Sequence, residues 1–192
     1  MEKLNVIIEA SARHCHLTEE NIETLFGKGY KLTPKKDLSQ PGQYLCEERV
    51  TLIGPKGEIK SLGIIGPARK NTQVELSLTD ARTVGITAPI RESGDVEGTP
   101  GCKIVGPCGE FETENGVMIA MRHIHVTPED AEKYGLKDKQ IVSVKVGGPR
   151  ATVFCETVVR VSEKFQTRMH VDFDENNGAA LTPGMTGEVI VD

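Results

Sequence analysis

Short apolar runs bounded by glycine and proline recur along the chain: Leu4 to Ile8, Val50 to Ile53, Ile59 to Ile65, Val117 to Ala120, Ile141 to Val146, Val153 to Val161 and Val189 to Val191. Their length and β-branched content predict strands. Gly54-Pro55-Lys56-Gly57 falls between two of them and predicts a hairpin turn, and the alternation around Gln73-Val74-Glu75-Leu76 predicts another strand. The chain is therefore expected to be mainly β. Helices are few. The two clearest begin at Thr18, with Glu19 and Glu20 in the first turn, and at Thr127, followed by Pro128, Glu129 and Asp130. Threonine caps a helix start, proline suits its first position and carboxylates suit its dipole; Thr127-x-x-Asp130 also resembles a capping box. Gly27 to Gln43 reads as a loop or small ribbon, and Arg91 through Gly101 as a polar loop.

Both helices follow the same motif, Arg13-His14-Cys15-His16-Leu17-Thr18 and Arg122-His123-Ile124-His125-Val126-Thr127. Four of the five histidines lie in these two copies, whereas random placement would give roughly a tenth of one His-x-His pair. On a strand, positions i and i+2 share a face, so each pair of imidazoles can converge on one ion while Cys15 or Ile124 faces away. The copies lie 109 positions apart, which predicts two related lobes with one site each, brought together by pseudo-symmetry.

Composition narrows the class. With 192 residues, 38% of them hydrophobic, the chain can build one large or two small packed cores. A net charge of −5 argues against a broad nucleic-acid footprint but leaves room for a basic pocket that binds a small anion. The five cysteines are an odd set without CxxC spacing, which favours reduced thiols over a disulfide framework or a zinc ribbon. Met1 to Asn5 has no basic stretch leading into an apolar one, and no apolar run approaches ~18 residues. A soluble, intracellular protein without membrane or nucleic-acid partners is expected.

Outside the duplicated motif, the residues alone leave the chemistry open. His170, between Met169 and Val171, reads equally well as ligand or structural residue. Glu75 on its alternating strand reads as a solvent-facing charge, Arg69 as an ordinary loop cation and Ser93 as a turn residue.

Taken together, the paired Arg-His-x-His-[Leu/Val]-Thr motifs, Leu38-Ser39-Gln40-Pro41-Gly42-Gln43, Gly66-Pro67-Ala68-Arg69 to Glu75, and Arg91-Glu92-Ser93-Gly94-Asp95 closely resemble the PduL-type phosphotransacylases, or phosphate propanoyltransferases. The likeness runs from Val6 to Val191. It implies two pseudo-symmetric β-barrel domains with short capping helices, discontinuous in sequence: residues 1–12 plus 121–192, and residues 13–120 with a loop or ribbon insertion at about 27–47. It implies an enzyme interconverting acyl-CoA (acetyl or propanoyl) and phosphate with acyl phosphate and CoA, using two divalent metal ions, commonly zinc. Carried over, the family pattern assigns His14, His16 and Glu75 to one metal and His123, His125 and His170 to the other, puts Arg69 on the phosphate and Ser93 near the metals. Phosphate would bind at the second metal and the CoA sulfur at the first, with direct attack and no acyl-enzyme. Lys70, Arg82 and Arg91 could meet CoA phosphates. The family suggests a homodimer, and the lack of an amphipathic extension before the first strand suggests a free cytoplasmic enzyme rather than one in a microcompartment lumen.

Two other readings fit the metal motifs. One is a binuclear metal hydrolase, although such a barrel typically needs about 250 residues with alternating helices. The other is a zinc-stabilised structural or binding module, which closed four-ligand sites would support; the pattern here offers three ligands per ion. A cysteine-borne acyl intermediate at Cys15 or Cys46 is disfavoured because Cys15 should face away from the histidines.

Overall fold

The computed structural model of the protein describes residues 3–191; Met1, Glu2 and Asp192 lie outside the described residues. In chain order the elements are β1 (Asn5–Ser11), β2 (His14–His16), α1 (Glu19–Phe26), β3 (Pro34–Asp37), β4 (Tyr44–Ile53), β5 (Glu58–Gly66), β6 (Gln73–Leu76), α2 (Leu78–Val84), β7 (Ile90–Arg91), β8 (Cys102–Val105), β9 (Glu110–Thr113), β10 (Val117–Ala120), β11 (His123–Val126), α3 (Pro128–Tyr134), β12 (Ile141–Val146), β13 (Thr152–Val161), β14 (Arg168–Asp172), α4 (Phe173–Ala179) and β15 (Thr186–Ile190). The protein is mainly β. No described helix is long and apolar enough to cross a membrane.

The chain divides into two compact units. Unit 1 takes the chain up to Ser11, the short segment Ser39–Pro41 and everything from Met121 onward; unit 2 takes Ala12–Leu38 and Gly42–Ala120. Each His-x-His strand thus belongs to a different unit from the strand that precedes it in the chain.

Among the described residues, unit 1 is a closed six-stranded barrel in the order β1-β14-β11-β13-β12-β15. Unit 2 repeats that order as β10-β6-β2-β5-β4-β8, and each pairing keeps its parallel or antiparallel sense: β1–β14 and β10–β6 are parallel, β14–β11 and β6–β2 antiparallel. This is the pseudo-symmetry expected from the duplicated motif. The two sheets differ at their ends. In unit 1, β15 returns to β1, pairing Asn5 with Glu188 and Ile7 with Thr186. In unit 2 the corresponding edges are occupied, β8 by β9 and β10 by β7, so the sheet curls as a half-barrel without closing.

Each unit has its own core. Cys15, Leu25, Leu52, Leu62, Ile64 and Ile104 lie at the centre of unit 2, and Val6, Ile124, Val126, Val144, Val159 and Met169 at the centre of unit 1. The residues between the paired histidines, Cys15 and Ile124, are fully buried, so the strand alternation that exposes the imidazoles to one face drives their neighbours into the core.

Helix capping fixes where each motif strand ends. Thr18 accepts from the Asn21 amide at 3.1 Å and Thr127 from the Asp130 amide at 3.1 Å. The second half of the expected capping box at Thr127 is relayed. The shorter Asp130 carboxylate accepts the Thr167 hydroxyl, and Thr167 Oγ1 accepts the Thr127 amide at 3.3 Å. The reciprocal box occurs instead at α4, between Asp172 and Glu175. The predicted hairpin is present, with the Gly54 amide donating to Gly57 O at 2.9 Å. The short strands β7, β8, β9 and β14 and the helices α2 and α4 lie outside the sequence-based strand and helix assignments, because their apolar positions are too few to set a period, and β3 falls in the stretch read as a loop or small ribbon.

Ile124→Ala should lower the unfolding free energy by about 2–5 kcal/mol, since it empties a fully enclosed site. The exposed Val153→Ala should change it by less than about 0.5 kcal/mol. Urea titration followed by circular dichroism checks both.

Candidate metal centres

Two clusters of ligand-type side chains form, one in each unit: His14, His16 and Glu75, and His123, His125 and His170, with the candidate ligand atoms of each lying within 4.8 Å of one another. The same ladder geometry builds both. His14 lies opposite Glu75 in the antiparallel β2–β6 pair, and His123 lies opposite His170 in the antiparallel β11–β14 pair. The third member therefore comes from the neighbouring strand, directly across from the first histidine.

The tautomers follow from the hydrogen bonds. His14 Nδ1–H donates to Ala12 O at 2.8 Å, His16 Nδ1–H to Ile65 O at 3.0 Å, and His123 Nδ1–H to Met121 O at 2.8 Å. A carbonyl can only accept, so in these neutral rings the proton sits on Nδ1 and Nε2 carries a bare lone pair. The Nε2 atoms of His14 and His16 face each other at 3.2 Å, and those of His123 and His125 at 3.1 Å. In the His14–His16 pair, where backbone carbonyls take both Nδ1 protons, two lone pairs at that distance repel, and a cation between them would turn the repulsion into two bonds. Tetrahedral zinc with bonds of about 2.0–2.1 Å has an edge of about 3.3 Å, close to these separations. Glu75 Oε2 lies 3.6 Å from His14 Nε2, within reach of the same centre.

Electrostatics keep the His16 ring neutral. Burial pushes the His16 imidazole down to about 3, helped by the neighbouring His14 and the Arg69 charge and partly offset by Glu75. At neutral pH it is unprotonated. All four motif histidines and Glu75 are buried.

Glu75 is held firmly. Its Oε1 accepts from Gln73 Nε2 at 2.6 Å and from Ser93 Oγ at 2.8 Å, while Gln73 Oε1 accepts the Gly94 amide at 2.8 Å. These contacts occupy one carboxylate oxygen and leave Oε2 toward His14. Glu75 is thus not the solvent-facing charge that its alternating strand suggests when read alone. Ser93 sits on Glu75 through a loop contact, and Gln73 is a positioning residue absent from the sequence-based set. The i, i+2 spacing of Gln73 and Glu75 on β6 was the available signal, since it puts both side chains on one face. Arg69 follows the cis Gly66–Pro67 peptide, and its backbone amide donates to Leu17 O at 2.8 Å, which ties it beside the His14–His16 strand.

Of the other sequence candidates, Lys70 and Arg91 are exposed, and Arg91 pairs with Asp95 at 3.2 Å. Arg82 lies in the last turn of α2.

A phosphate propanoyltransferase family profile matches residues 7–182, a span that contains both clusters, Arg69, Gln73 and Ser93. Relatives named phosphate propanoyltransferase include that of Clostridioides difficile, 54% identical over 95% of this chain and 88% of that protein. That of Thermotoga maritima is 54% identical over 93% and 86%, and that of Sebaldella termitidis 50% identical over 95% and 87%.

The same geometry makes a prediction about the thiols. Burial pushes the Cys46 thiol up to about 11 and the Cys102 thiol up to about 12, and raises that of Cys15 further. Cys108 and Cys155 are exposed. Ellman's reagent should titrate two thiols in the native protein and all five after denaturation; rapid native labelling of Cys15 or Cys46 would restore the case for a cysteine nucleophile.

Proposed function

Because the chain belongs to the phosphate propanoyltransferase family, we propose that it interconverts acyl-CoA and phosphate with acyl phosphate and CoA, the acyl group being propanoyl or acetyl. The observation that carries the reading is the pair of three-residue, ligand-type clusters inside the family-matched span. His14, His16 and Glu75 would hold one divalent cation, and His123, His125 and His170 another. Three imidazole or carboxylate donors per ion suit zinc at an open, catalytic position. When bound, such an ion supplies Lewis acidity, polarising a carbonyl or phosphoryl oxygen and favouring a thiolate over a thiol.

The protein groups then have definite tasks. Arg69 grips phosphate through paired N–H donors and offsets the charge that builds as a phosphate oxygen adds to the thioester carbon. The tetrahedral adduct collapses with cleavage of the carbon–sulfur bond, whose electron pair leaves on the CoA sulfur. In reverse, the thiolate attacks the acyl phosphate and phosphate departs. Ser93 and Gln73 keep Glu75 oriented throughout. No acyl-enzyme is formed: Cys15 is packed in the core on the side opposite the histidines, and burial keeps its thiol protonated. The five free thiols fit a reducing, cytoplasmic setting. Neither a metal hydrolase nor a structural zinc module gains support, because the sheets are not an alternating α/β barrel and each cluster has three members among the described residues.

Acetyl phosphate or propanoyl phosphate plus CoA should yield thioester, read by its ultraviolet absorbance, with zinc-loaded enzyme and not with chelated enzyme. Absence of thioester from either donor in the metal-loaded protein would refute the reaction. Arg69→Lys keeps the charge but loses the two-pronged grip; kcat/KM for phosphate should fall on the order of 10- to 100-fold while the bound metal is unchanged.

A further inference from the structure

The two clusters are related by pseudo-symmetry, but one position beside them is not. Glu75 pairs with Met118 in the parallel β6–β10 ladder, and His170 pairs with Glu9 in the parallel β14–β1 ladder. Glu9 and Met118 each stand five residues before the first histidine of a motif, so they are equivalents. Met118 is fully buried and brings no charge, whereas Glu9 brings a carboxylate to the three-histidine cluster. The fold does not demand a carboxylate at this place, since its repeat does without one.

This carboxylate is held in position. Glu9 Oε2 lies 3.2 Å from His170 Nε2 and accepts from Ser39 Oγ at 2.5 Å, while Glu9 Oε1 lies 3.5 Å from Arg168 Nε. Ser39 is fixed in turn by its neighbour. The buried Gln40 donates from Nε2 to Gln166 O at 3.0 Å, and its Oε1 accepts the Gln166 amide at 3.3 Å. That docking explains why Ser39–Pro41 belongs to unit 1 although the chain on either side of it belongs to unit 2.

His170 has reason to need such a partner. His14 and His123 are locked by the carbonyl two residues earlier on their own chain. His170 instead sits on β14 with a side chain 18% exposed, and the hydrogen-bond partner its ring meets is Glu9. A carboxylate that accepts from the other ring nitrogen of a metal-ligating histidine fixes the ring and raises its basicity, and its loss typically costs 10- to 100-fold in metal affinity; with Glu9 at Nε2, the nitrogen left for a cation is Nδ1.

We propose that Glu9 is a positioning residue of the three-histidine cluster, fixing the His170 ring and thereby setting how tightly that cluster, and not the His14–His16–Glu75 cluster, retains its cation. Ser39 and the Gln40–Gln166 pair are the support that holds Glu9 to this task. The inference rests on the metal-binding reading of the two clusters.

The test compares zinc release from the full-length wild type and from Glu9→Ala, Glu9→Gln, Ser39→Ala and His170→Ala proteins. Each is loaded with zinc, its content measured by elemental analysis, its fold checked by circular dichroism, and then challenged with a chromophoric chelator. His170→Ala identifies the release phase of the three-histidine cluster. Glu9→Ala should weaken retention in that phase by about 10- to 100-fold and leave the other phase at the wild-type rate. Glu9→Gln, which keeps an accepting oxygen, should recover part of the loss, and Ser39→Ala should show a smaller loss. The cobalt-substituted protein should show a changed d–d spectrum in Glu9→Ala, which general destabilisation of the fold would not produce in one cluster alone. Two ions retained at wild-type rates in Glu9→Ala, with unchanged cobalt spectra, would overturn the role of Glu9 and leave the metal reading intact. A wild-type protein that takes up no zinc would overturn the metal reading, and the role of Glu9 with it, before any variant is compared.

Discussion

Two imidazole Nε2 atoms facing each other across about 3 Å are the constraint around which each unit is organised. Strand periodicity brings the rings to one face, but periodicity alone does not choose which nitrogen looks inward. The choice is made by backbone carbonyls: Ala12 O, Ile65 O and Met121 O each take an Nδ1–H, which leaves Nε2 as a donor of electrons and not of protons. In the His14–His16 pair such a buried arrangement is unfavourable by itself, because neither lone pair has a hydrogen to accept. Rigid strands on both sides hold it, with Cys15 and Ile124 anchored in the cores behind it. On the metal-binding reading proposed above, side chains held in this way would lose little freedom when an ion arrives.

The duplication explains how one chain makes two such centres and why they differ. Each motif strand is flanked by a strand that takes the opposite direction and supplies the third donor, and that strand is flanked by a parallel one from just before the other motif. Because β1 and β10 pair in the unit to which the following histidines do not belong, each half of the sequence helps build both units. The repeats are therefore free to diverge only at side chains that do not disturb the shared ladders. Glu75 against His170, and Met118 against Glu9, are substitutions of that permitted kind.

Much of this was legible in the sequence. The apolar runs located β4, β5, β10, β12 and β13, because their β-branched residues are dense and their ends are marked by glycine and proline. The threonine-capped helices after each motif were legible because capping depends on a few neighbouring residues. What escaped was what depends on partners distant in the chain. Glu75 and His170 become cluster members only through ladder register, which a single sequence does not encode locally; without the family resemblance, one read as a surface charge and the other was ambiguous. The network of Gln73, Ser93 and Gly94 around Glu75 needs a loop and a strand to meet across about twenty residues. The failure of the second sheet to close depends on β7 and β9, strands of two and four residues with too few apolar positions to show a period.

The difference between the third donors also bears on chemistry. A divalent ion held by His14, His16 and Glu75 has one unit of its charge offset by the carboxylate, whereas one held by His123, His125 and His170 faces three neutral rings. On the proposed reading, an ion among neutral donors would keep its full charge for whatever fills its open position, which would suit a multiply charged oxyanion such as phosphate. The carboxylate-bearing centre is the less positive of the two and suits a single thiolate sulfur. Glu9 refines this contrast. It is displaced from the ligand cluster itself and touches it through one ring. In the role proposed for it, Glu9 would hold His170 in place without occupying a coordination position that phosphate would need. On the proposed reading, one carboxylate per cluster, at direct range in unit 2 and one residue removed in unit 1, would suit the two centres to substrates of different charge.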